Sequence, residues 1–187
     1  MNYVENSDFL ETLNEYQSNN DDTGEWLEQY LLKLKVKYKN GKIDKKKYDA
    51  GVDFYNYKKE FMKEKANRLS KLTPEENEKR NKRVDFLKES LGRTFMAIAN
   101  GRIKTPQFVR YPLSDRDEMI SDALYIMLKY ADRFDCRRTN PFSYFTQAAF
   151  NSFIAFLNEK KKHEEKYQSI NYIENLDVIQ DYDNGLE

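Results

Sequence analysis

Apolar positions recur along this chain at three- and four-residue spacing, most strongly from Asp117 to Lys162. There Met119, Ala123, Leu124, Met127, Leu128, Ala131 and Phe134 form the apolar stripe of one helix. Glu118, Ser121 and Asp122 lie three and four apart and share its opposite face as an acidic patch. A short basic turn follows, Asp135-Cys136-Arg137-Arg138-Thr139-Asn140-Pro141. Pro141 disfavours helix at Asn140 and suits the first position of a new one. That second helix, expected over Pro141 to Lys162, gathers Phe142, Phe145, Ala149, Phe150, Phe153, Phe156 and Leu157 on one side. Its other side carries Tyr144, Gln147, Asn151, Asn158 and Lys162, with the small Ala148 and Ala155 between them.

The same reading extends upstream. Ser7 is placed to cap a short helix with Phe9, Leu10, Leu13 and Tyr16 as its apolar positions, and Gln17 to Asp22 is a polar break. Trp26, Leu27, Tyr30, Leu31 and Leu34 mark a helix that stops by Asn40-Gly41. From Asp44 to Leu72 the pattern is a long charged helix with a sparse stripe of Tyr48, Val52, Tyr55, Phe61, Met62 and Leu69; together the two make a helical hairpin. Thr73-Pro74-Glu75-Glu76 is a helix start with a threonine cap, a proline at the first position and a glutamate at the third. That helix continues through Val84, Leu87, Leu91, Phe95, Ile98 and Ala99 to Asn100-Gly101. Residues 102–113 form a loop, and Ser114 is placed to cap the helix of the acidic patch. After Lys166 the pattern fades, and 168–187 reads as a partly ordered acidic tail. With only six glycines and four prolines, the expectation is an all-α fold.

Charge sharpens this picture. The formal net charge is zero, but residues 1–32 carry eight acids and no Lys or Arg, and residues 171–187 carry five acids and no base. The basic balance therefore falls on the centre, as suits a nucleic-acid binder with acidic ends; acidic ends that merely keep the chain soluble fit equally well. A lysine cluster at 33, 35, 37, 39, 42, 45, 46 and 47 straddles the hairpin turn. Such a run can neutralise phosphates, although a solvated face is the favoured expectation. The single cysteine, Cys136, excludes an intramolecular disulfide and fits a reducing cytoplasm. No apolar run is long enough to span a bilayer, and MNYVENSDF lacks the regions of a signal peptide, so a cytosolic protein is expected.

On the polar side of the helix after Pro141, amides can bond base edges, an aromatic can stack on an unpaired base, and lysines can neutralise phosphates. In DEMISD, RFD and NPFSYFTQAAFNSF, which carry that helix and the one before it, the chain resembles the second conserved region of bacterial sigma factors. The wording is most similar to that of the late-transcription sigma factors of T-even-type bacteriophages. Residues 2–17 and 83–168 carry the resemblance, and 18–82 have no counterpart. It implies a division into an N-terminal helix (1–17), a charged helical insertion (18–82), a sigma-like polymerase- and promoter-binding domain (83–168) and an acidic tail (169–187).

The resemblance implies a role for each segment. Glu118, Ser121, Asp122 and Leu128 fall at the family's contacts with the clamp helices of the largest subunit of host core RNA polymerase. The following turn and helix would hold the non-template strand of a melted, A/T-rich −10 element, through Arg137, Arg138, Tyr144, Phe145, Gln147, Asn151, Asn158 and Lys162. The family position of the stacking aromatic is Phe145, whereas helix phase exposes Tyr144 and turns Phe145 inward. Where housekeeping sigma factors carry a duplex-wedging tryptophan pair, this chain has Ala148 and Ala149, which implies weaker strand opening that needs a late co-activator. The short stretch after the second helix implies promoters without a −35 element. Family members also end in an epitope for the phage sliding clamp; here Ile173, Leu176, Val178, Ile179 and Tyr182 alternate with acids, and an ordinary acidic terminus is the favoured alternative. The setting would be the cytoplasm of an infected bacterium.

Enzyme chemistry finds little support. His163, the only histidine, sits in a helix end rich in lysine and glutamate, and Cys136 has no second cysteine with which to hold a metal or form a redox pair. There is no phosphate-binding glycine loop. No enzyme and no cofactor are expected. The competing expectation is a helical adaptor, co-activator or anti-sigma-like, that binds polymerase through the same acidic helix without reading DNA.

Overall fold

A computed structural model describes residues 5–183, with side chains through Lys166. The described chain is all-α, with six helices and no strand among those residues. They are α1 (Asn6–Asn19), α2 (Trp26–Lys39), α3 (Lys45–Leu69), α4 (Pro74–Ile103), α5 (Leu113–Ala131) and α6 (Pro141–Asp183). No helix among the described residues is long and apolar enough to cross a membrane.

Local chemistry sets most of the ends. Thr73 and Glu76 form a reciprocal capping box, with Thr73 Oγ1 accepting from the Glu76 amide at 3.3 Å and Glu76 accepting from the Thr73 amide at 2.8 Å. Asp44 caps α3 by accepting from the Lys47 amide at 2.7 Å. Asn140 caps α6, accepting from the Ser143 amide at 2.9 Å just before Pro141. Gly41, at φ +65, makes the left-handed turn of the hairpin.

Two expected caps are corrected. Helix α1 begins at Asn6 and α5 at Leu113, so Ser7 and Ser114 lie inside helices rather than at their caps. The expected division between 82 and 83 falls within the unbroken α4. Helix α6 also continues to Asp183, well past the expected fade at Lys166.

Helices α1, α4, α5 and α6 share one core. Phe145 is wholly buried at its centre, with the rings of Phe95 at 4.6 Å, Phe9 at 5.5 Å and Phe134 at 5.7 Å. Such aromatic pairs contribute about 0.5–1.5 kcal/mol each beyond area burial. Met119, Ala123, Met127 and Ala131 bring the apolar stripe of α5 into the same core. Phe142, expected on the buried side of α6, is instead exposed at the helix start.

The hairpin α2–α3 has a small core of its own around Leu27, Tyr55 and Met62. Gly51 lets the two helices touch: a Cβ there would stand 2.7 Å from Leu34 Cδ2. The hairpin docks on the body through polar bonds. Gln17 Nε2 donates to the carbonyls of Ala131 (2.6 Å) and Phe134 (3.0 Å) at the end of α5, and Gln17 Oε1 accepts from Lys58 Nζ at 2.6 Å. Lys58 also reaches the Asp132 carbonyl at 3.2 Å, and Lys65 Nζ reaches the Gln17 carbonyl (3.2 Å) and Asn20 Oδ1 (2.8 Å). Asn20 in turn donates to the Asp132 carboxylate. Two buried lysines of α3 thus meet the negative C-terminal ends of α1 and α5, where orphan carbonyls need donors.

Candidate nucleic-acid and polymerase interface

The outward face of α5 is built by helical phase. With Met119, Ala123 and Met127 turned into the core, Glu118, Ser121, Asp122 and Leu128 are left exposed together. Tyr125, 65% exposed, lies on the same face seven residues after Glu118 and was not singled out from the sequence. Its signal was the i, i+3, i+7 spacing from Asp122 and Glu118, obscured because tyrosine fits a core as readily as a surface. The result is an acidic face in which two large side chains, Tyr125 and Leu128, stand exposed.

Beside it, α5 and α6 enclose a groove of about 530 Å3. Tyr125, Ile126 and Tyr130 form one wall, and Tyr144, Gln147, Ala148 and Asn151 the other, with Asp122 and Glu159 also lining it. Gln147 Nε2 donates to Asn151 Oδ1 at 2.9 Å, so the two exposed amides bond each other and keep their remaining donor and acceptor sites outward. Tyr144 is half-buried, edge-on to Phe134 at 5.2 Å, and burial raises its hydroxyl pKa above the ordinary tyrosine value.

The structure does not bring all the expected DNA contacts together. Phe145 is sealed in the core and cannot meet a base without opening it, a correction in favour of helix phase. Asn158 faces a separate groove, with Tyr111, Pro112 and Asp115, and Lys162 is exposed farther along α6. Arg137 is engaged within the chain: it bonds Asp135 and Asp53, each at 2.9 Å, and lies 4.2 Å over the Tyr57 ring. Those hydrogen bonds to carboxylates hold its guanidinium pKa above the ordinary value. Arg138 is exposed and makes no salt bridge among the described residues. Leu176, Val178, Ile179 and Tyr182 lie beyond Lys166, where side chains are outside the described residues.

The described residues contain no cluster of histidine, cysteine or carboxylates that could hold a metal. Cys136 is half-buried, and burial pushes its thiol pKa up to about 11, with Lys58 pulling it back and Asp135 adding to the rise. A thiol so placed is a poor nucleophile at neutral pH. No family model matches the chain, and no curated protein or solved structure matches it either.

Proposed function

We propose that this chain is a phage late sigma factor that binds host core RNA polymerase and directs it to A/T-rich −10 late promoters without a −35 element. The observation that carries the reading is the adjacency of two surfaces: the acidic, tyrosine- and leucine-bearing face of α5 and the aromatic-and-amide groove between α5 and α6. On this reading the first docks on the clamp helices of the largest subunit. The second captures unpaired bases, with Tyr144 rather than Phe145 as the stacking ring and Gln147 and Asn151 at base edges. Strand opening draws on a co-activator.

Two observations favour the adaptor reading, in which the chain binds polymerase and leaves DNA alone: Phe145 is buried and Arg137 is engaged within the chain. The readings part in one experiment. Capture of core polymerase followed by transcription from a library of −10 sequences should enrich A/T-rich members. Capture without enrichment supports the adaptor, and failure to capture polymerase removes both.

A further inference from the structure

A second cleft, of about 700 Å3, lies between the α2–α3 hairpin and the α5–α6 turn. Along one line of α2, Trp26, Tyr30, Lys33 and Lys37 face it at four-, three- and four-residue steps, so aromatic and cationic side chains share a single helical face. Lys47 faces it from α3, and Arg133 and Arg138 from the turn. The cleft's two acids, Asp53 and Asp135, are both bound to Arg137. Among the described residues Lys33, Lys37, Lys47, Arg133 and Arg138 form no salt bridge, so the cleft gathers cations whose charge is not neutralised within the chain. Tyr130 and Tyr144 line both this cleft and the α5–α6 groove, so the two are adjacent.

We propose that the cleft carries single-stranded DNA, so that the hairpin supplies the second half of the strand-binding site; this rests on the reading of the α5–α6 groove given above. Phosphates run along Lys33, Lys37, Lys47 and Arg138, while unpaired bases meet the rings of Tyr30, Tyr130 and Tyr144. Duplex DNA satisfies the cations but keeps its base faces stacked away from those rings. The hairpin lysines then divide by position: Lys33, Lys37 and Lys47 belong to the cleft, and Lys42, Lys45 and Lys46 are exposed outside it.

Trp26 is the only tryptophan, and it lines the cleft with Arg133 5.3 Å over its ring. Its fluorescence therefore reports occupancy when the full-length chain is titrated with an A/T-rich single-stranded deoxyoligonucleotide of about 12 nucleotides. The signal should change on binding. The variant K33E/K37E/K47E should bind at least about tenfold more weakly, with a salt slope reduced by about 2. K42E/K45E/K46E, with the same change in net charge, should retain most of the affinity. Equal losses in the two variants, equal competition by a duplex of the same sequence, or no binding by the unsubstituted chain would overturn the cleft. So would a K33E/K37E/K47E protein that binds the oligonucleotide normally but loses polymerase, because the cleft would then serve an acidic protein surface. Oligonucleotide binding of the expected kind without capture of core polymerase would remove the sigma reading and leave the cleft standing.

Discussion

Replacing Lys58 by methionine isolates the buried hub that joins hairpin to body. The side chain is fully buried, and methionine nearly matches its length without a donor. Gln17 Oε1 and the Asp132 carbonyl each lose a hydrogen bond, and a buried acceptor left unsatisfied costs about 1–3 kcal/mol. Against this, the variant no longer buries a charge. Burial pushes the Lys58 pKa down from 10.5 to about 8, with Cys136, Asp135, Asp132 and Asp22 pulling it back, which corresponds to a penalty on the order of 3 kcal/mol. At pH 7 the two effects oppose each other, and the variant should lie between about 1 kcal/mol more stable and about 3 kcal/mol less stable than the parent. The pH dependence is decisive. Between about 8 and 10.5 the unfolded chain still holds a proton that the native chain has released, so native stability rises with pH. The penalty is complete below that window and gone above it, and methionine has no such dependence. Urea unfolding followed by Trp26 fluorescence and helical circular dichroism should therefore show the parent gaining on Lys58→Met by on the order of 3 kcal/mol from pH 7 to pH 10.5. Parallel pH profiles would refute the buried, charged lysine.

Other substitutions address the surfaces. Glu118→Lys with Asp122→Lys should abolish capture of core polymerase while leaving the unfolding midpoint nearly unchanged, since both side chains are exposed; normal capture by the folded double variant would remove the α5 docking face. Tyr144→Ala should weaken binding of a −10 non-template strand by about 1–3 kcal/mol, with Tyr144→Phe close to the parent, as measured by fluorescence anisotropy; equal losses in both would point to the hydroxyl rather than to stacking. Gly51→Leu should splay the hairpin and destabilise the chain by about 1–3 kcal/mol in urea, because even a Cβ there meets Leu34; an unchanged midpoint would mean the helices have room to separate.

Helix ends written in local chemistry were legible, including the Thr73–Glu76 box, Asn140-Pro141 and the Asn40-Gly41 stop. Ser7 and Ser114 misled because a hydroxyl near a helix start is equally at home inside the first turn. Helix phase placed Phe145 correctly in the core, against the position implied by the family resemblance. The buried stripe of α3 was legible only in Tyr55 and Met62. It is Gly51, Tyr55, Lys58, Met62 and Lys65, at regular spacing; Gly51 and the two lysines were absent from the expected stripe, which held Tyr48 and Val52 instead. Nothing near Lys58 in sequence announces its partners, which are the ends of α1 and α5 and come together only when the body folds. The lysine cluster was ambiguous for the same reason: Lys33, Lys37 and Lys47 differ from Lys42, Lys45 and Lys46 only in facing Arg138 across a cleft that folding creates.

The hub also bears on function through register. An apolar seam between α3 and the body would tolerate sliding by a turn of helix, since one leucine packs much as another does. Lys58 and Lys65 cannot slide, because their ammonium groups match two helix C-termini at fixed positions and any shift leaves buried donors and acceptors unpaired. The same register sets Asp53 against Arg137 and holds Lys33, Lys37 and Lys47 opposite Arg138. Lys58→Met should therefore weaken binding of the single-stranded oligonucleotide although Lys58 does not line the cleft, and should leave polymerase capture through α5 unchanged. The change should appear in Trp26 emission before any oligonucleotide is added, because Arg133 over its ring is part of the docked arrangement. Full oligonucleotide affinity together with an altered Trp26 spectrum would separate docking from DNA binding and confine the hub to stability.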